Sequence, residues 1–231
     1  MRPSFTCFDS EVSIQSARQI LDGKVYQLLE GIGAVNVIVD IGANIGAASV
    51  YLKSSYPAAE LYAFEPSRAS FELLKRNLTG MSKVQIYNCG LHELEGTARL
   101  YRGRLDGISD SIVPGLDVTD EYFEIELKSA ADEMHRLQLQ VIDILKIDTE
   151  GCEVPILRSM VKWLGGIKVI YLEYHSELDR QIIDLILRRS HVLYASRATN
   201  PHRGELTYIS TNLERLCCYD LIEHGLRRSD V

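Results

Sequence analysis

Val37-Ile38-Val39-Asp40-Ile41-Gly42-Ala43-Asn44-Ile45-Gly46 decides the reading of this 231-residue chain. The first five residues are almost wholly apolar and largely β-branched, as in a strand buried on both faces of a sheet. Two glycines then bracket a tight turn, and Ala47 to Leu52 suits a helix. Glycine lets a backbone turn sharply and approach a ligand without a Cβ in the way. The free N–H groups of the following helix attract a carboxylate or phosphate.

Working outward, the same alternation repeats. Leu61-Tyr62-Ala63-Phe64-Glu65 reads as a second strand, and Pro66-Ser67 opens a helix to about Leu78, with Phe71, Leu74 and Leu78 on one face. Val84 to Tyr87 is a third strand. Thr97 to Tyr101 and Tyr122 to Leu127 alternate in period two and are expected to pair as an antiparallel excursion. Ile142 to Ile147 and Val169 to Glu173 are further strands, separated by a helix from about Cys152 to Leu164. Leu178 to Arg189 is an amphipathic helix, after which Val192 to Ala195 and Thr207 to Ile209 close the sheet. Residues 1–35, with Ile14, Ala17, Ile20, Leu21 and Leu28, read as an N-terminal helical cap on a domain spanning 36–231. Strands alternating with helices specify an α/β fold: a central, mostly parallel, seven-stranded sheet with helices on both faces. Ligands in such folds lie beyond the carboxyl ends of the strands. Asp40–Gly42, Glu65, Cys89–Gly90, Asp148–Glu150 and Glu173–His175 all follow strand-like runs.

Composition narrows the function. The chain is 46% hydrophobic and carries a net charge of −7. That hydrophobic share can fill one core, and the acidic balance argues against a nucleic-acid partner, which needs a basic surface. No apolar run reaches the roughly 18 residues of a membrane span, and no signal-peptide pattern opens the chain, so a cytoplasmic location is expected. The five cysteines, Cys7, Cys89, Cys152, Cys217 and Cys218, have no CxxC spacing and read as reduced thiols. Trp163 falls in an apolar helical pattern and is expected in the core. Arg227 and Arg228 read as a solvated tail, and Cys217–Cys218 as packed residues.

The glycine turn is not the dinucleotide G-x-G-x-x-G, because Asn44 stands where a glycine is required. Glu65 ends the next strand, 25 positions after Asp40. A carboxylate there can accept both hydroxyls of a ribose, so the pair indicates a nucleoside-containing cofactor. A short-chain dehydrogenase is excluded by the glycine pattern and by the lack of a Tyr-x-x-x-Lys pair.

These residues resemble the class I methyltransferases, and D-I-G-A-N-I-G resembles the FkbM family in particular. Ala63-Phe64-Glu65-Pro66 is similar to that family's second motif. Cys89-Gly90-Leu91 and Gly96 to Tyr101 are similar to its next block. Ile144-Leu145-Lys146-Ile147-Asp148-Thr149-Glu150-Gly151-Cys152-Glu153 resembles its LKIDVEGxE signature, and Tyr171 to His175 its late strand. Departures are Thr149 for Val, Ser159 for Gly, and Ser129 to Asp132 in place of T-L-D. The resemblance implies S-adenosyl-L-methionine as cofactor. It places Asp40, Gly42, Ala43, Asn44, Ile45 and Gly46 at the methionine end, Glu65 with Pro66 at the ribose, Cys89, Gly90 and Leu91 at the adenine, and Asp148 at the amino group or the acceptor. It also implies transfer to a hydroxyl of a small molecule or sugar. A protein or nucleic-acid acceptor, or a non-catalytic cofactor-binding domain, are the alternatives.

An alcohol acceptor must lose its proton. Asp148, Glu150, Glu173 and His175 are the candidate bases, His175 because an imidazole titrates near pH 6.5. Glu150 has a second reading, as a cap for the helix near Gly151. Asp148 and Glu150 offer two oxygen ligands for Mg²⁺ but no third, so no metal is assigned. Ser109-Asp110-Ser111 reads as a surface loop, with the acceptor pocket as its alternative. Acceptor contacts are expected from the cap and from loops around 103–120 and 196–206.

Overall fold

A computed structural model describes residues 5–104, 110–113, 118–200 and 202–213. Ser109, Cys217, Cys218, Arg227 and Arg228 lie outside the described residues. After helix α1 (Glu11–Leu21) the chain runs β1 (Val37–Ile41), α2 (Ala47–Ser55), β2 (Glu60–Phe64), α3 (Arg68–Asn77), β3 (Val84–Tyr87) and β4 (Gly90–His92). It continues through β5 (Gly96–Gly103), β6 (Val118–Ser129), α4 (Ala130–Arg136), β7 (Ile144–Ile147), α5 (Glu153–Ser159) and α6 (Val161–Leu164). The last elements among the described residues are β8 (Val169–Tyr174), α7 (Glu177–Leu187), β9 (His191–Asn200) and β10 (Arg203–Ser210).

Seven strands form the central sheet in the order β3-β2-β1-β7-β8-β10-β9. The first five are parallel, and β10 runs antiparallel to both its neighbours. Side chains alternate across a strand, and β1 shows the consequence. Val39 and Ile41 enter one apolar cluster with residues of α4 to α7, while Ile38 enters another with residues of α2 and α3. Helices therefore cover both faces, as the periodicity specifies. The excursion also forms: β5 pairs antiparallel with β6, Thr97 opposite Glu126 and Tyr101 opposite Tyr122, and β4 joins them as a third strand.

Three local expectations need correction. The helix expected over Cys152–Leu164 is two short helices that meet at Met160. Among the described residues of the N-terminal segment only Glu11–Leu21 is helical, and Ile14 and Leu28 are exposed although they fit the apolar pattern. The remainder to β1 is irregular backbone fastened by polar contacts, including Asn36 and Val37 N–H donating to Asp143 and the Tyr171 hydroxyl donating to the Gln27 carbonyl. The stretch expected as a loop at 196–206 is mostly the β9–β10 hairpin. Trp163 is buried, and its indole N–H donates to the Leu139 carbonyl.

Candidate active site

A cavity of about 330 Å³ opens at the carboxyl ends of β1, β2, β7 and β8, within the roughly 300–1,000 Å³ range of small-molecule pockets. Its first wall is the turn after β1. Gly42 and Ala43 N–H both donate to the Phe64 carbonyl, which pins the turn to β2. Gly42 has φ +75°, and a Cβ there would overlap the Asp148 carbonyl, so glycine is required by close backbone approach as well as by conformation. Asn44 has φ +50°, a region that asparagine tolerates better than most side chains. It thus completes the turn where a dinucleotide loop uses glycine.

Glu65 joins this turn to the next element. One carboxylate oxygen accepts the Asn44 N–H and the other the Ser67 N–H, each at 2.7 Å. Burial pushes its pKa up to about 7, against the opposing pull of those two donors. Glu65, Pro66, Gly90 and Leu91 line the cavity, whereas Cys89 is buried outside the lining. Asp40 also lies outside it, fully buried beneath the turn. Its carboxylate accepts the Ser49 hydroxyl at 2.6 Å and faces Lys146 Nζ at 3.1 Å.

Lys146 is the functional residue that the motif reading left without a role. Its ammonium, buried in the sheet, donates to the Gly42 carbonyl at 2.6 Å and approaches Asp148 at 3.8 Å. Burial opposes its charge, but Asp40 and Asp148 outweigh that and raise its pKa. One cation thus ties the glycine turn to the opposite wall. The signal in the sequence was a lysine inside an otherwise apolar strand, since a buried charge persists only when paired. Tyr26, from the irregular segment before β1, was missed as well: it carries no motif, yet its hydroxyl donates to Asp148 at 3.2 Å.

The opposite wall contains Asp148, Thr149, Glu150 and Glu173. Burial works against the charge on Asp148, but Lys146 and a hydrogen bond from Glu173 hold its pKa below the ordinary value. Glu173 shows the converse: burial and the Asp148 charge push its pKa up to about 10, which favours its protonated form. Glu150 has φ +55° and Gly151 φ +113°. This turn is held by the buried Glu153, whose carboxylate accepts the Thr149 and Gly151 N–H groups. The helix that follows, α5, begins at Glu153 with no side-chain cap, so the capping role read for Glu150 is not filled. Asp110 lines the cavity, and the Ser111 hydroxyl donates to the Glu150 carbonyl at 2.5 Å. These two residues of the polar stretch thus reach the site, as do Arg197 and Glu205 of the β9–β10 hairpin.

His175 sits behind this wall and not in the cavity lining. Its Nε2 is 3.0 Å from Glu150 and 3.8 Å from Glu173, and its Nδ1 is 3.6 Å from Glu153. The imidazole is thus in ion-pair contact with Glu150 and farther from the other two carboxylates. Burial alone would lower its pKa, but Glu150 and Glu153 outweigh it and raise it to about 11. An imidazolium has no lone pair to accept a proton, and a protonated carboxyl is a poor acceptor. This surrounding disfavours His175 and Glu173 as the base relative to Asp148. Glu150, Glu173 and His175 also present ligand atoms within 4.8 Å of one another, a spacing the sequence does not reveal.

The family model described as the methyltransferase FkbM domain matches residues 40–193. Methyltransferase sdnD of Sordaria araneosa is 35% identical over 178 aligned residues, covering 63% of this chain and 64% of its own length. The 2-O-methyltransferase NoeI of Sinorhizobium fredii (strain NBRC 101917 / NGR234) is 23% identical, covering 61% of this chain and 64% of its own. The chain thus spans less than two thirds of the length of these relatives. Among solved structures, yhhF from Escherichia coli superposes with a TM-score of 0.52 at 15% identity, covering 89% of this chain and 90% of its own. Aeropyrum pernix fibrillarin, solved with natively bound S-adenosyl-L-methionine, gives 0.50 at 13% identity, with 84% and 74% coverage. Likeness at that identity is one of fold, the Rossmann-like class I methyltransferase fold. No helix among the described residues is long and apolar enough to cross a membrane. With the family model matched over most of its length, the chain belongs to the FkbM methyltransferase family, a class whose cofactor is S-adenosyl-L-methionine.

Proposed function

We propose that this chain catalyses methylation of a hydroxyl oxygen on a small molecule or sugar. The observation that carries the proposal is one cavity running from the Gly42–Gly46 turn and Glu65 to a wall of carboxyl groups at the ends of β7 and β8. The name of the relative NoeI, a 2-O-methyltransferase, supports the oxygen acceptor.

The residues present fit the cofactor. Glu65 keeps acceptor capacity on the cavity side, since each carboxylate oxygen has more than one lone pair, and in this reading it holds the ribose. Ala43, Asn44 and Ile45 surround the methionine end, and Pro66, Gly90 and Leu91 the adenine. Asp40 and Cys89 support the turn and the adenine wall from beneath. When bound, the cofactor supplies a methyl group already activated on a sulfonium. The protein's task is then mainly to align the acceptor oxygen and take its proton. Asp148 is placed for that second part, because its backbone packs against Gly42 and its side chain lines the cavity. Residues 1–35 act as a cap on the domain of 36–231, with Tyr26 reaching in to orient Asp148.

The test is transfer of labelled methyl from S-adenosyl-L-methionine to a panel of hydroxylated metabolites and sugars. Asp148→Asn is expected to lower turnover by about 10²- to 10⁴-fold with little change in cofactor affinity. Label entering protein or RNA instead, or full turnover in the variant, would overturn the reading.

A further inference from the structure

The acceptor-side wall gathers more carboxyl groups than cations. Asp148, Glu150, Glu153 and Glu173 gather around two cations, Lys146 and His175. Glu153 is occupied by backbone N–H groups, and Asp148 by Tyr26 and Lys146. Glu150, Glu173 and His175 form one cluster, in which Glu173 also hydrogen-bonds Asp148. Each offers a ligand atom, and these atoms lie within 4.8 Å of one another.

The distances suit a metal ion. With ligands roughly 2.1 Å from a six-coordinate cation, neighbouring donors lie about 3.0 Å apart and opposite donors about 4.2 Å apart. His175 Nε2 stands 3.0 Å from Glu150 and 3.8 Å from Glu173. An independent observation concerns the imidazole. Its side chain is only 11% exposed, and both ring nitrogens are fully buried among carboxylates. A buried imidazole that faces only carboxylates can exchange its proton for a metal ion. The backbone at Glu150, with φ +55°, holds that carboxylate at the cavity, and such backbone conformations persist where the surroundings enforce them.

We propose that Glu150, Glu173 and His175 bind a first-row divalent cation on the acceptor side of the cavity. Two carboxylates with one imidazole match Mn²⁺, Fe²⁺, Co²⁺ or Zn²⁺ better than Ca²⁺ or Mg²⁺, which favour all-oxygen shells. Binding displaces protons from the ligands into solvent. The positions the protein leaves free would take water or the acceptor oxygen, whose proton then passes to Asp148 as the O–CH₃ bond forms and the S–CH₃ bond breaks. That last role rests on the proposed function, whereas the cation site itself does not.

The experiment titrates the chelator-treated full chain with Mn²⁺, by calorimetry and by electron paramagnetic resonance. One saturable Mn²⁺ per chain is expected, weakened at least tenfold in Glu150→Gln and in Glu173→Gln. No saturable binding, or equal binding in both variants, would overturn the site and leave the His175 imidazolium as the cluster's own cation. A second measurement needs no variant. Mn²⁺ should broaden the proton signals of bound S-adenosylhomocysteine near its sulfur more than those of its adenine, and equal broadening at both ends would overturn the placement. Binding of S-adenosylhomocysteine without metal is measured on the same samples, so a failure of the cofactor reading shows separately.

Discussion

Glu65, buried, and Glu173, partly buried, both stand at the carboxyl ends of parallel strands with raised pKa values, yet they belong to differently built walls. Around Glu65 the partners are backbone N–H groups, those of Asn44 and Ser67. Around Glu173 they are other ionisable side chains, Asp148, Glu150 and His175. The first wall is shaped by where the chain turns, and the second by which charges share a space. Backbone-built geometry is fixed by glycines and strand order. Side-chain-built geometry depends on tertiary neighbours that come from distant parts of the sequence.

The largest expected effect breaks the backbone-built wall. Gly42→Ala forces a Cβ into the Asp148 carbonyl at φ +75°. It should cost at least about 4 kcal/mol or prevent folding, as thermal denaturation would register. Next is Lys146→Met, which removes the cation between the two walls and leaves Asp40 buried without its partner. Losing one member of a buried pair costs about 3–5 kcal/mol, to be measured by denaturant titration. A change below about 1 kcal/mol would mean that the walls are independent.

The contrast between the two glutamates can be sharpened with pH. Glu65 has a folded pKa of about 7 against an ordinary 4.5. The folded chain therefore holds more protons than the unfolded one between those values. The resulting contribution to stability is fully present below pH 4.5 and is lost as pH rises through 7. Cofactor affinity should move the other way if ribose hydroxyls donate to the carboxylate, falling as pH drops below 7. Glu65→Gln should flatten that dependence; a dependence unchanged in the variant would assign it to another group. The smallest effect is expected for Ser49→Ala, which removes one hydrogen bond to Asp40 and should cost about 1–3 kcal/mol.

The same division explains what the sequence made legible. The glycine turn, Glu65 at the end of β2 and the β5–β6 pairing could be read because each follows from local pattern: a turn residue, a strand end, a period of two. Lys146 stood out in an apolar strand, but its partners Asp40 and Gly42 lie more than 100 residues away. Tyr26 sits in backbone without regular structure, so no periodicity marks it. His175 was read from the intrinsic pKa of imidazole, which Glu150, after β7, and Glu153, in α5, override. The single helix expected after Asp148 failed where the chain turns at Met160, a position with no glycine or internal proline to announce it.

The most direct test of the central claim is calorimetric titration of the purified chain with S-adenosyl-L-methionine, beside Glu65→Ala. The account predicts saturable binding of one molecule per chain, weakened roughly 10- to 100-fold by the substitution, as befits loss of hydrogen bonds to a charged group. Equal affinity in the two proteins would contradict the placement of the cofactor at Glu65.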